Sequence, residues 1–253
     1  MRINTTCPLN KNFSSFEDRR NRIFSHIDDF LEKISNIGIE KNTLNIYTYN
    51  DLMQFKKVEA INSIKCCPIH KGTYIFITHE NNNFISCNLI FYGKNNTCII
   101  AKTAYGIANL TIDMGGGSSV FIDTDFSCGP CTLRLREGKN IFIGKDNMFS
   151  SEITLWPSDG HAILDKYGNC INDAEDIILG DHIWLGFKVN ILKGSFINDG
   201  SVVGIASLVN KKFYEPNVVI AGSPARIIRN QTRWTRKNPT HLRQYALKCD
   251  DKT

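Results

Sequence analysis

A mainly β fold, wound from short parallel strands, is predicted for this 253-residue chain by three observations. Residues 179–209 read in sixes, and an aliphatic residue opens each hexad at Leu179, Leu185, Ile191, Ile197, Val203 and Val209. The fifth position of each hexad is small or β-branched: Ile183, Val189, Ser195, Ser201 and Ser207. Between successive aliphatic runs there is no room for the helical crossovers that an ordinary buried parallel sheet requires. A period sustained over several units marks a repeat architecture. Six residues supply one short strand and one turn, and Gly, Asn or Asp tolerates the backbone angles of a corner. Three such sides close a coil of about eighteen residues, and stacked coils pair through parallel strands around a shared core.

Taken in order, the chain starts with a predicted helix. Ser14 or Ser15 is a suitable cap, and Glu17 and Asp18 fall in the first turn. Phe16, Ile23, Ile27, Phe30, Leu31 and Ile34 recur at helical spacing, and Gly38 is a stop. A strand over 44–49 and a second, shorter helix from Asn50-Asp51 to about Ala60 complete a small α/β cap over 1–72. From Thr73 short β-rich runs alternate with Gly, Asn and Asp, the irregular first coils of the solenoid, with Ile143, Phe149 and Leu155 back in phase at six. Gly115-Gly116-Gly117 reads as a flexible turn, because the Lys-Ser/Thr and helix of a phosphate-cradling loop do not follow it. The repeat stops over 157–176 and resumes in phase, so this segment leaves the coil at a corner and returns; such excursions are where solenoids place function. A last strand spans 218–221. The tail over 230–253 is basic, and a helix after Pro239 presents Leu242, Tyr245, Ala246 and Cys249 on one face and is expected to cap the open end of the solenoid.

Composition narrows the function. The net charge of +5 is mild and favours anionic ligands without indicating nucleic acid. No apolar run approaches the roughly twenty residues of a membrane span, and the first thirteen residues lack an apolar signal core, so a cytoplasmic protein with reduced thiols is expected. The cluster Cys66-Cys67-Pro68-Ile69-His70 lacks a second ligand pair at zinc spacing, and no metal is expected.

The chain resembles the hexapeptide-repeat acyltransferases over roughly 140–229. The runs that carry the resemblance are Ile178-Leu179-Gly180-Asp181-His182-Ile183-Trp184-Leu185-Gly186, Gly204 to Lys211, and Val219-Ile220-Ala221-Gly222-Ser223-Pro224-Ala225-Arg226-Ile227-Ile228-Arg229. The resemblance is closest to capsule and polysialic-acid O-acetyltransferases. It implies a left-handed parallel β-helix over 73–229; the handedness comes from the family, since ordinary parallel crossovers are right-handed. It also implies acetyl-CoA as cosubstrate, a glycan or sugar acceptor and a homotrimer with active sites between subunits.

Residue roles follow from the resemblance, position by position. The segment Ser158-Asp159-Gly160-His161 would supply the catalytic base, His161; Asp159, or a carboxylate or carbonyl elsewhere, is a candidate to orient its imidazole. Trp184 would border the thioester. Phe187 and Ile205, eighteen residues apart, would contact the pantetheine arm, and Lys211, Arg226 and Arg229 the CoA phosphates. Asn210 stands where the family usually has Thr. His182 is read as a turn residue, Cys170 as a free thiol, and a zinc-dependent reading of the fold lacks a third histidine. Two alternatives stay open: N-acetylation of an amino-sugar nucleotide, and a non-enzymatic solenoid scaffold.

Overall fold

A computed structural model describes residues 16–240. The Ser14/Ser15 cap and the apolar face from Leu242 to Cys249 lie outside the described residues.

Three sheets of nine, eight and seven strands make the three faces of a prism. The chain visits them in a fixed order. Tyr74–His79 lies on the first face, Phe84–Ile85 on the second and Cys87–Phe91 on the third, before Asn96–Ile100 returns to the first. The hexad-opening residues Leu179, Leu185, Ile191, Ile197, Val203 and Val209 are all 0% exposed. They stack in register from coil to coil, Leu179 with Ile197, Leu185 with Val203 and Ile191 with Val209. The fifth-position residues are equally buried, because they fill the inside of the corners where only a small side chain fits. The serines there also bond to the turning backbone: Ser195 Oγ donates to the Val209 carbonyl at 3.2 Å, and Ser207 Oγ accepts from the Gly222 N–H at 3.1 Å.

The early coils are wider. Phe76, Cys98, Val120 and Ile141 are successive register partners on the first face although they are more than twenty residues apart, so they obey the same stacking without a period of six. Gly116 (φ +72°) sits in a tight corner, not a loose one. An added Cβ would meet the Gly138 backbone nitrogen at 3.0 Å.

Two expectations for the N-terminal region are corrected. The parallel ladder reaches back past Thr73: Leu44–Tyr49 pairs with Tyr74–His79, and Ile64–Pro68 with Cys87–Phe91. No second helix forms at 50–60. Asn50 closes a turn instead, its Oδ1 accepting from the N–H groups of Leu52 (3.0 Å) and Gln54 (3.1 Å), and Phe55–Val58 returns antiparallel to Leu44–Tyr49. The same Asx chemistry that caps a helix can close a turn, and here tertiary pairing selected the turn.

The helix Phe16–Ser35 lies on the outside of the first face. Phe16, Ile23, Ile27 and Ile34 pack with the outward residues Ile75, Ile77, Ile99, Phe121, Phe142, Ile178 and Phe196 in a second apolar cluster. Arg19 contacts both carboxylate oxygens of Asp199 at 2.7 Å, and Arg20 reaches Asp176 at 2.9 Å. Burial nevertheless pushes the Asp199 carboxyl upward, against the opposing pull of Arg19.

Asp123, beside the same helix, is also shifted up by burial, with the Thr124 N–H opposing. A carboxyl raised in the folded state favours folding below its unfolded value and loses that contribution as pH climbs through the folded value. Asp123→Asn is therefore expected to raise Tm at pH 7 and to change it little at pH 3, which thermal scans at the two pH values check.

At the C-terminal end a hairpin of Val219–Gly222 and Ala225–Arg229 closes the second sheet with an antiparallel pair. The single last strand expected at 218–221 is thus half of a hairpin. Residues 230–238 run back along the edge between the first and second faces, held first by Thr232, whose N–H and hydroxyl both bond to the Asn217 carbonyl at 2.8 and 3.0 Å. Among the described residues no helix is long and apolar enough to cross a membrane, and no cluster of three or more His, Cys, Asp or Glu is arranged to hold a metal.

Candidate functional site

The excursion leaves the third face after Ile153–Trp156 and rejoins the first at Ile177–Leu179, so it stands on the edge between those faces. Its foot is firmly tied. Ser158 is buried and donates to the Glu137 carboxylate, and Asp176 accepts from the Asn140 N–H at 2.9 Å. Its arm is a small hairpin: Ile171 N–H bonds to Ile163 O at 2.9 Å, and Asp165 Oδ1 caps the tip by accepting from the Tyr167 and Asn169 N–H groups. Ile163, Leu164, Tyr167 and Ile171 project from this arm, with Tyr167 77% exposed.

His161 lies exposed between foot and arm, and among the described residues its imidazole has no partner. Asp159 does not orient it, which corrects the expectation. Its Oδ2 accepts from Lys193 Nζ at 2.6 Å and from Asn172 Nδ2 at 2.8 Å, and these bonds hold the carboxyl below its ordinary range, Lys193 first. Asn172 meanwhile donates to the His161 carbonyl at 2.9 Å, so the pair fixes the backbone of residue 161 and leaves the ring free to meet another group.

Trp184 stands on the outer side of the second face, between Met148 and Val202 in register, and is 39% exposed while the next residue, Leu185, is fully buried. Period-two alternation of a strand forces that orientation. Phe187 and Ile205 sit on the neighbouring edge, between the second and third faces. The Ala206 N–H bonds to Phe187 O at 2.8 Å, and Ile205 is 68% exposed. Arg226 follows one coil further along, paired with Ala221 in the terminal hairpin, and Arg229 is paired with Val219. Both arginines are exposed. Lys211 is not on this line. It lies in the turn between Leu208–Val209 and Lys212–Phe213, on the excursion's edge, with its Nζ 5.2 Å from the Phe213 ring.

The six other predicted residues thus divide cleanly. Trp184, Phe187, Ile205, Arg226 and Arg229 gather on the second face and its borders, whereas His161 occupies the prism edge opposite that face. One chain brings the first group together and holds its imidazole away from it.

Sequence reasoning missed the strap at 230–238. Trp234 stacks on His182 with ring centroids 4.0 Å apart and planes 11° from parallel, and lies 6.1 Å from Trp184. His182 itself has φ 55°, the corner conformation expected of a turn residue. The one available signal was a tryptophan in an otherwise basic tail.

No protein-family model matches the chain. It is 33% identical over 189 residues to the polysialic acid O-acetyltransferase of Neisseria meningitidis, covering 74% of this chain and 87% of that one. The chain belongs to the hexapeptide-repeat acetyltransferases. It is also 33% identical over 135 residues to the polysialic acid O-acetyltransferase of Escherichia coli, a match that spans 53% of this chain and only 43% of that longer relative. Among solved structures, the polysialic acid O-acetyltransferase OatWY superposes with a TM-score of 0.61 and 28% identity, over 81% of this chain and 98% of that one. The fold is accordingly the left-handed parallel β-helix of these acetyltransferases.

In this acetyltransferase chain the edge between the second and third faces offers a bare backbone. A Cβ placed on Gly186 would meet Ile205 N and Val203 O, both at 2.9 Å, so the glycine lets two coils approach directly beneath Phe187 and Ile205. Gly186→Ala is expected to force those backbones apart and lower Tm. Thermal unfolding of the variant beside the wild type checks it.

Proposed function

We propose that this protein is an acetyl-CoA-dependent O-acetyltransferase that modifies a hydroxyl of a bacterial surface polysaccharide, working as a homotrimer with active sites between subunits. The observation that carries the reading is the opposition of His161 to Trp184 across the prism. A three-fold arrangement of prisms sets one chain's excursion edge against the next chain's second face, which the exposed apolar arm at Ile163, Leu164, Tyr167 and Ile171 also favours, since patches of this kind mark contact surfaces. The helix over the first face leaves the other faces for such packing.

In this mechanism Phe187 and Ile205 flank the pantetheine arm along successive coils, Arg226 and Arg229 receive the CoA phosphates at its far end, and Lys211 of a neighbouring chain adds a further cation. Trp184, whose indole N–H is a donor only, borders the thioester sulfur. His161 takes the proton of the acceptor hydroxyl as its oxygen attacks the thioester carbonyl, and returns that proton to the departing sulfur. The chemistry needs no covalent enzyme intermediate. Backbone N–H groups of an adjacent coil are suited to the developing oxyanion.

The two relatives named for polysialic acid make an anionic sialic acid polymer the first acceptor to test, alongside neutral capsule and O-antigen polymers. Incubation with acetyl-CoA should release CoA and leave an alkali-labile ester on the polymer. An alkali-stable amide would instead assign N-acetylation, and no CoA binding by calorimetry at millimolar ligand would assign a scaffold.

A further inference from the structure

The strap at 230–238 crosses several coils and passes beside Trp184 at Trp234 on its way to the coils that hold Arg236. Its path is fixed by an unusual density of contacts. Arg236 donates to Asp146 Oδ1 (2.8 Å), Ser127 Oγ (2.7 Å), and the carbonyls of Asp125 and Asn147 (both 3.0 Å), and its guanidinium lies 4.0 Å from the Tyr105 ring centroid. Asp146, through its other oxygen, meets His182 Nδ1 at 2.6 Å. His182 then holds Trp234 three ways. The rings stack, the Trp234 indole N–H donates to the His182 carbonyl at 2.8 Å, and His182 Nε2 faces the Trp234 carbonyl at 3.1 Å. The chain Arg236–Asp146–His182–Trp234 is thus closed by hydrogen bonds at every link, and these bonds with the ring stack fix where the Trp234 indole lies.

Trp184 is different. It is two-fifths exposed on an outer face, its indole N–H makes no hydrogen bond within the described residues, and the side of its ring is met by Trp234 at a 45° tilt. An exposed indole on an open β-surface samples several rotamers unless something bounds it. We infer that Trp234 is a positioning residue for the acetyl-transfer site: the strap holds a rigid indole against Trp184 and selects the rotamer that faces the thioester. This rests on the reading of Trp184 given above. Trp234 acts through Trp184 and not on the substrate, so its removal should weaken turnover more than cosubstrate binding, as expected when an interaction matters mainly in the transition state.

The test compares Trp234→Ala, Trp234→Phe, His182→Asn and Trp184→Phe in the full-length protein. Two indoles this close give an exciton couplet in far-ultraviolet circular dichroism, and that couplet should be present in the wild type and absent from both Trp234 variants and Trp184→Phe. Trp234→Ala should lower kcat about tenfold or more with the KM for acetyl-CoA within about threefold of wild type. Trp234→Phe, which keeps a ring on His182, should recover most of that loss. His182→Asn tolerates the corner conformation and removes the stacking partner, so it should reproduce the kcat defect and stands in if Trp234→Ala does not fold. A Trp184→Phe defect without a Trp234→Ala or His182→Asn defect overturns the inference and spares the Trp184 assignment. Wild-type kcat in Trp184→Phe overturns the assignment and the inference together. A Trp234→Ala loss confined to the KM of the acceptor overturns positioning in favour of a glycan-contacting wall.

Discussion

His161→Ala is expected to lower acetyl transfer by about 10²- to 10⁴-fold, the usual contribution of a general base. The fold should not notice. His161 is exposed, its ring has no partner among the described residues, and the bonds that shape the excursion pass through its carbonyl and through Asp159, Asn172 and Lys193. CoA binding should be nearly unchanged, because among the described residues none of those assigned to it bonds to His161. Steady-state kinetics with a matched calorimetric titration separates the two effects, and full activity in the variant would remove His161 from the mechanism. A mixing experiment adds a geometric test. His161→Ala and Trp184→Phe chains, unfolded together and refolded into mixed assemblies, should regain activity at sites that combine an intact imidazole from one chain with an intact indole from another. Sites built within single chains would show no such recovery.

The second large effect is on stability. Leu185→Ala is expected to cost about 2–5 kcal/mol, the range for deleting a fully buried leucine side chain. Leu185 is 0% exposed and lies in register between Phe149 and Val203 of the adjoining coils, so three layers of the prism lose contact at once and backbone pairing on all faces prevents collapse into the void. Typical domains are stable by only about 5–15 kcal/mol. Guanidinium unfolding should show a lower midpoint with an unchanged slope. Because Leu185 adjoins Trp184 on the same strand, kcat should fall as well. A midpoint within experimental scatter of wild type would contradict the stacked-core account.

Legibility in the sequence followed regularity. Residues 179–209 stack at one coil per eighteen residues, so register, burial and the inward serines could all be read from spacing. Phe76, Cys98 and Val120 stack just as closely, but their coils are wider and the period vanishes from the sequence. Asn50 carried a signal compatible with a helix cap or a turn, and only the neighbouring strand at Leu44–Tyr49 decided between them. Asp159 looked like the partner of His161 because it is two residues away; Lys193, far away in sequence, took the carboxylate.

By itself, then, the amino-acid sequence determined the repeating unit, the inward and outward sides of each strand, the site of the excursion and the chemical character of the residues along it. Those properties are local or periodic, and they need no knowledge of distant segments. Only the tertiary structure decided that His161 and Trp184 lie on opposite sides of one prism, that the helix covers the first face, and that the strap returns to lock Trp234 against His182. Each of these joins residues separated by tens to more than a hundred positions, and nothing in a linear chain sets the distance between such groups until the coils are stacked.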